Sequence, residues 1–570
     1  MKSSKRTPSR LTVQARRLEW TPQLKRNLIA GGALFLSAFL LRLWGIGWGL
    51  PNADHYFSYH PDEWIILIAS YFVVNPYAGE WLPGFYNYGS LPLYLWSFWL
   101  HWLSSFGVIP ALSESPSGIE VAQLRASLHL WARVLVALMG AGTAVVVAQI
   151  ARQVGGARAG WLAGTVMAVA PAFVVHSRFQ TVDVPTTFFV ALALYQSVAL
   201  WRSERLWRTL LWGAVWAGCA AGCKYNAGLV ALAPMTVWLL RYSSDRAMLL
   251  KGALATIAIA VGVFLLVCPG AWADSEKFWR DFSYEVRHVQ QGHGEIFTDT
   301  GLGWLYHLTP NLTTGFTLLG LVGSLLGWVL HGVRLRVLWG VLVFTVAYYL
   351  LIGGAEVRFL RYTLPLYPML ALGVALLLSE RPKSQTAESP MPRTRLAPIL
   401  SAFALLVALF QLVVALSYSL CMVRTDARDQ ALRWMRQQVP SGASIGFATV
   451  PWFYTPPLYP DTGELRWQDR LQKMREAQTP FRLVSLAPPE WNVDALRTQI
   501  PDYLVLSEFE WRDVTRIQRT DYQQFRSVLE SEYELVAQFR NNPPLFGRSA
   551  RFPHDMLYIC PEVEVWRRKR

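Results

Sequence analysis

The chain of 570 residues is 53% hydrophobic and carries 26 Trp, with positive mean hydropathy, a composition too apolar for a soluble protein and typical of a polytopic membrane protein. Its net charge of +15 would suit a nucleic-acid partner, but Lys and Arg stand in short clusters between apolar runs and form no continuous basic face, which argues against that class. The five Cys are scattered, three of them inside apolar runs (Cys219, Cys223, Cys268), so neither a metal knuckle nor a disulfide framework is encoded; a single Cys421–Cys560 bridge stays open.

Residues 1–27 are basic (Lys2, Lys5, Arg6, Arg10, Arg16, Arg17, Lys25, Arg26) and read as a cytoplasmic N-terminus. The apolar run from about Leu28 to Leu50 is too long for a signal-peptide core and lacks a small-residue cleavage pattern, so it is expected to remain as the first span. His60-Pro61-Asp62-Glu63 follows, with Pro61 fixing the backbone just before two adjacent carboxylates. Ionised carboxylates are costly to hold together at a membrane surface, which marks a functional site. The segment Leu91–Ile109 is apolar and Trp-rich (Trp96, Trp99, Trp102) and is read as a helix lying in the outer interface.

Further spanning runs are expected near 126–150, 158–175, 183–201, 207–223, 226–241, 249–268, 313–332, 336–353, 363–379 and 396–419, making eleven in all. With the N-terminus inside, the inner connections and their flanks carry Arg152, Arg158, Arg202, Arg205, Arg208, Arg241, Arg246, Lys251, Arg334, Arg336, Arg381, Lys383, Arg393 and Arg395, as the positive-inside rule requires. A crossing at 91–109 would turn every one of these clusters outward.

From about Met422 charges of both signs are interspersed and no further 20-residue apolar run occurs. Expected strands at Ser444–Val450, Phe481–Leu486, Tyr503–Glu508 and Tyr533–Phe539, with helices at Asp426–Gln438 and Asp461–Ala477, describe a small α/β domain. The fold expected is therefore mainly α: a polytopic transmembrane helical bundle (28–421) followed by an extracytoplasmic α/β domain (422–570).

The outer connections gather the polar chemistry. The loop 51–125 holds His55, His60, Asp62, Glu63 and Tyr86-Asn87-Tyr88-Gly89-Ser90; the next outer segment is His176-Ser177-Arg178-Phe179-Gln180-Thr181-Val182-Asp183-Val184-Pro185; then come Lys224-Tyr225-Asn226, the loop 269–312 with Glu285, His288, His293 and Glu295, and Glu356-Val357-Arg358-Phe359-Leu360-Arg361-Tyr362. The sequence contains no P-loop or Gly-rich strand-turn-helix motif for a nucleotide. An outward-facing transferase then needs a donor that the membrane delivers, and a sugar on a polyprenyl phosphate fits. Transfer to a hydroxyl needs a carboxylate to take the acceptor proton, which an Asp or Glu within hydrogen-bond reach can do. The departing lipid phosphate needs cations, for which Arg178, Lys224, Arg358 and Arg361 are the candidates. His60, Tyr88, His176, Asn226, His288 and His293 are candidate substrate contacts.

Several of these residues have a plainer reading. Asp183 suits the first turn of a helix that has Pro185 close behind it, while Arg178, Lys224, Arg358 and Arg361 suit interfacial anchors. The spacing of Glu285, His288, His293 and Glu295, interrupted by Gly292 and Gly294, does not favour a zinc site. Asp62 and Asp183, together with a donor phosphate, are a set that a divalent cation such as Mg or Mn could bridge. The alternative from another class is a transporter or flippase of lipid-linked glycans, which would place polar groups at the bilayer midplane instead of at one surface.

The order of these motifs, from a basic N-terminus and one helix through the acidic pair, His176-Ser177-Arg178 with Asp183-Val184-Pro185, Gly222-Cys223-Lys224-Tyr225-Asn226 and Arg358-Phe359-Leu360-Arg361-Tyr362-Thr363-Leu364-Pro365, resembles the GT-C glycosyltransferases. Within that group the chain is most similar to the protein O-mannosyltransferase-like (family 39) and aminoarabinose-transferase-like enzymes, over about residues 28–380. The resemblance implies a polyprenyl-phosphate sugar donor and an inverting hexosyl or pentosyl transfer. It also implies that the Asp of the first outer loop, here Asp62, sits at the catalytic centre, with Glu63 beside it and Asp183 as the second acid of the cavity. The acceptor, whether protein, lipid or glycan, stays open.

Overall fold

The computed structural model describes residues 22–378, 396–460, 466–547 and 552–570. The basic residues before Pro22 and the expected inner cluster Arg381, Lys383, Arg393 and Arg395 lie outside the described residues. All eleven apolar runs are helical. Among the described residues, seven helical segments are by length and composition able to cross a membrane.

One of the seven, Gly118–Val169, is two helices joined at Gly156, whose φ of 80° only glycine adopts without strain. The second arm folds back onto the first: a Cβ at Gly160 would lie 2.8 Å from Ala148 O, and one at Gly164 would lie 3.2 Å from Ala144 O. Small residues bring the two backbones together, as expected where lipid supplies no hydrophobic drive for helix association. The runs expected at 126–150 and 158–175 are these two arms. Helix Arg246–Val267 leaves Leu250, Leu254, Ile257, Val261 and Leu265 exposed. Their spacing of three and four residues places them on one face, which is the lipid-facing stripe of a membrane helix. Leu91–Ser105 is a helix of 15 residues, short of the roughly 20 needed to span, and its Trp96 and Trp99 indoles donate to the carbonyls of Ala132 and Trp131.

The C-terminal domain carries five strands, β1 (Ser444–Phe447), β2 (Arg482–Ser485), β3 (Tyr503–Ser507), β4 (Tyr533–Arg540) and β5 (Glu562–Arg568). They form one sheet in the order β2-β1-β3-β5-β4, in which β1 is parallel to β2 and β3, while β5 is antiparallel to β3 and β4. The four expected strands are present, β1, β2 and β3 with shorter ends and β4 one residue longer. β5 is not among the expected strands; its Glu562 and Glu564 are both buried, with carboxylates paired to Arg540 and Arg526. Just before β5 the chain leaves the sheet, and Phe552, Met556, Leu557, Tyr558, Ile559 and Cys560 join the core of the membrane bundle. Cys421 and Cys560 are free thiols, so the bridge left open by the sequence is not formed.

Candidate active site

Helix Pro61–Leu67 begins with Pro at its first position, where the missing N–H costs nothing. His60 caps it, its Nδ1 accepting the Asp62 N–H at 3.3 Å. Asp62 in this first turn is half-buried, and its Oδ2 lies 3.2 Å from Arg361 Nη2. Arg361 stands in the 3₁₀ turn Leu360–Leu366, with its guanidinium 4.0 Å from the centroid of the Phe359 ring and its Nε 3.9 Å from Asp183 Oδ2. Asp183, the first residue of helix Asp183–Leu200, accepts Lys224 Nζ at 2.8 Å, and Lys224 Nζ lies 3.8 Å from the centroid of the Tyr362 ring. Asp62, Arg361, Asp183 and Lys224, from four separate elements, thus form one alternating chain of charges.

Local packing explains how Lys224 and Tyr88 arrive there. A Cβ on Gly89 would fall 2.0 Å from Gly222 O, so only glycine fits, and the Gly89 N–H donates to Cys223 O at 3.2 Å. The Tyr225 hydroxyl donates to the carbonyls of Tyr86 (2.7 Å) and Tyr88 (3.0 Å). The Tyr86–Ser90 and Gly222–Asn226 motifs are therefore one packed unit at the end of helix Leu206–Cys223. Burial, reinforced by the Asp62 charge, pushes the Tyr88 hydroxyl well above its ordinary value. Burial also raises the carboxyl of Glu285, which is hydrogen-bonded to Asn87.

Several buried polar atoms around these charges have no hydrogen-bond partner among the described residues: Arg361 Nη1, His60 Nε2, both ring nitrogens of His176, and Asn226 Oδ1. Such atoms are rare in folded proteins and call for an explanation, of which a binding role is one. Burial lowers His60 to about 4 and lowers His176, so both rings are neutral at pH 7. Asn226 also hydrogen-bonds the Tyr348 hydroxyl. His288 and His293 pair ring to ring at 3.1 Å, and His293 stacks edge-on against Phe359, 5.6 Å away.

Three of the expected site residues are placed elsewhere. Glu63 is fully buried, and both of its oxygens are spent. Oε1 accepts from Arg133 Nε at 2.8 Å and from the Gln180 N–H at 2.7 Å, while Oε2 accepts from Arg133 Nη2 at 2.6 Å and from the Ser58 hydroxyl. Burial alone would raise this carboxyl, but the Arg133 guanidinium outweighs it and holds it well below the carboxylate range. Glu63 thereby ties the first outer loop to the His176–Pro185 segment. Arg178 is also fully buried, donating to the carbonyls of Leu41 and Arg42 and to the Ser419 hydroxyl. Arg358 braces Thr300, Gly301 and Glu356. Neither arginine joins the Asp62–Lys224 chain, which of the four expected phosphate-binding cations contains only Arg361 and Lys224.

One site residue was missed at the sequence level. Asp555, fully buried, accepts the backbone N–H groups of Leu360 (3.1 Å) and Arg361 (2.9 Å), and its Oδ2 lies 3.9 Å from His176 Nε2. Tyr558, one helical turn later, hydrogen-bonds the Arg361 side chain. The only sequence signal was an acid among the apolar residues 552–560. Among the described residues no group of three or more His, Cys, Asp or Glu side chains is arranged to hold a metal ion. The space between Asp62 and Asp183, where a divalent cation was considered, is taken by the Arg361 guanidinium.

Residues 121–272 match the model of a family described as dolichyl-phosphate-mannose-protein mannosyltransferase, which bears out the resemblance carried by the motifs. No curated protein matches the sequence. Among solved structures, the chain is similar to the oligosaccharyltransferase AglB of Archaeoglobus fulgidus in complex with an inhibitory peptide and a dolichol-phosphate (14% identity, 94% of this chain and 77% of that one, TM-score 0.46). It is also similar to ArnT of Cupriavidus metallidurans bound to undecaprenyl phosphate (15% identity, 94% and 97%, TM-score 0.43). A third likeness is to the Pmt1-Pmt2 protein O-mannosyltransferase complex of S. cerevisiae bound to the sugar donor (16% identity, 51% and 36%, TM-score 0.31).

Proposed function

We propose that this multi-pass membrane protein is a glycosyltransferase that moves a hexosyl or pentosyl group from a polyprenyl-phosphate donor to an acceptor hydroxyl. The reaction takes place at the outer face of the cytoplasmic membrane, with the N-terminus inside and the α/β domain outside. The observation that carries this reading is the half-buried Asp62 beside a buried Arg361 that keeps one unpartnered amine, with Lys224 two charges further along. The description of the matched family names a dolichyl-phosphate sugar, which is the donor chemistry such cations suit.

In the proposed step Asp62 takes the proton from the acceptor hydroxyl as its oxygen bonds to the anomeric carbon. The bond from that carbon to the phosphate oxygen breaks in the same displacement, and its electron pair leaves with the lipid phosphate. A single displacement inverts the anomeric centre. A positioned general base supplies about 10²–10⁴-fold. Preorganised donors at the developing charge, here Arg361 and Lys224, supply about 10²–10³-fold each. Asp183 holds the two cations together in the absence of donor, and His60, His176, Tyr88 and Asn226 offer polar contacts to the sugar or acceptor. Because Arg361 occupies the place between the two aspartates, charge neutralisation is assigned to the cations, and turnover is expected to persist in EDTA.

The test is to incubate purified protein with a panel of polyprenyl-phosphate sugars and candidate acceptors and to follow donor and product by mass spectrometry. Consumption of one donor with release of polyprenyl phosphate supports the proposal. Movement of labelled lipid across the bilayer without a covalent product would favour the flippase.

A further inference from the structure

A second cluster of cations lies at the opposite end of the bundle. Helix Asp183–Leu200 starts at the candidate site and ends, 18 residues later, about 27 Å away. Helix Leu206–Cys223 then returns to Lys224. Between the far ends of these two helices is a cleft of about 620 Å³, lined by Gln196, Arg202, Arg205, Arg208, Trp212 and Trp216 among others. Arg208, Thr209, Trp212 and Trp216 recur at three- and four-residue spacing and so share one face of helix Leu206–Cys223, with Arg205 just before its first residue. That face passes from a guanidinium group to indoles.

Positive charge prevails in the lining. Arg202 donates to Gln153 O, while the side chains of Arg205 and Arg208 are exposed. Glu204 is the one carboxylate in the lining, against three guanidinium groups. Deeper along the face, Trp212 and Trp216 stack at 5.5 Å, and Trp216 continues onto Phe189 at 6.1 Å. Trp212 is 43% exposed, on a helix of the membrane bundle. A free phosphate would have no use for this aromatic wall, and a neutral lipid would have none for the arginines.

We infer that this cleft binds one anionic phospholipid, its headgroup phosphate on Arg205 and Arg208 and its acyl chains along Trp212 and Trp216. Arginine forks match phosphate oxygens two at a time, and basic pockets between membrane helices are suited to anionic headgroups. The site is separate from the transfer chemistry and does not depend on that reading.

Native mass spectrometry of the full chain, delipidated in detergent and titrated with phosphatidylglycerol or phosphatidylcholine, tests this. The wild type is expected to retain one more phosphatidylglycerol per chain than the R205Q/R208Q variant, with no such difference for phosphatidylcholine. Excess inorganic phosphate should leave that lipid in place. Should the double variant not fold, R205Q and R208Q singly are expected to give intermediate occupancy. Equal phosphatidylglycerol retention by wild type and variants, equal loss of phosphatidylcholine, or displacement by inorganic phosphate would overturn the assignment.

Discussion

Arg361 Nη2 lies 3.2 Å from Asp62 Oδ2, joining the turn after one membrane helix to the first outer loop. This contact makes Arg361 the sensitive cation of the site. In the proposed step the donor phosphate takes over the guanidinium that here pairs with Asp62, and so releases the carboxylate. Arg361→Gln is expected to lower kcat by about 10²–10³-fold and to raise the KM for the donor. Steady-state kinetics at saturating acceptor read both effects.

Asp555 acts through Arg361. Its carboxylate fixes the two amides that start the 3₁₀ turn, so Asp555→Asn keeps one acceptor oxygen and loses the charge-assisted pairing. A misplacement of about 1 Å costs up to about 10²-fold in turnover. The variant is therefore expected to lose kcat with little change in donor KM, whereas a purely structural role would lower the melting temperature and leave the kcat of the folded fraction intact.

Glu63 and Arg133 form a fully buried pair. Glu63→Ala leaves a guanidinium buried without its partner, a defect worth about 3–5 kcal/mol, and should show as a marked loss of thermal stability. Replacing both residues by apolar side chains is expected to recover much of that loss. The folded carboxyl is held below its ordinary value, so the pair stabilises above the unfolded carboxyl range and loses that contribution as pH falls toward the folded value.

Glu510 shows the opposite sign. Burial pushes it up to about 7, although it accepts the Ser507 N–H at 2.7 Å and hydrogen-bonds the Thr449 hydroxyl. The folded domain therefore binds this proton more tightly than the unfolded chain does. Its stabilising contribution is complete below the ordinary glutamate value of about 4.3 and is lost as pH rises through about 7. Glu510→Gln should flatten the fall in stability between those limits, as read by chemical denaturation across the pH range.

The sequence already carried much of this molecule. The eleven apolar runs are helices because length and hydropathy suffice to mark them, and Asp62, Asp183, Lys224 and Arg361 could be grouped because alternation of spans puts their loops on one side. What side a residue faces could not be read that way. Glu63 and Arg178 share loops with site residues yet are consumed by Arg133 and by the carbonyls of Leu41 and Arg42, contacts set by tertiary packing. Asp555 was invisible for a related reason: its partners are backbone amides from a segment far away in the chain, which leave no pattern in side-chain spacing. The strand β5, not among the expected ones, buries glutamates whose arginine partners also come from elsewhere.

The most direct measurement compares wild type and Asp62→Asn on whichever polyprenyl-phosphate sugar the wild type consumes, with melting temperature recorded on the same preparations. Asp62→Asn is expected to lose about 10²–10⁴-fold or more in turnover with its melting temperature preserved. Turnover equal to wild type in the folded variant would contradict Asp62 as the base and, with it, the proposed transfer step.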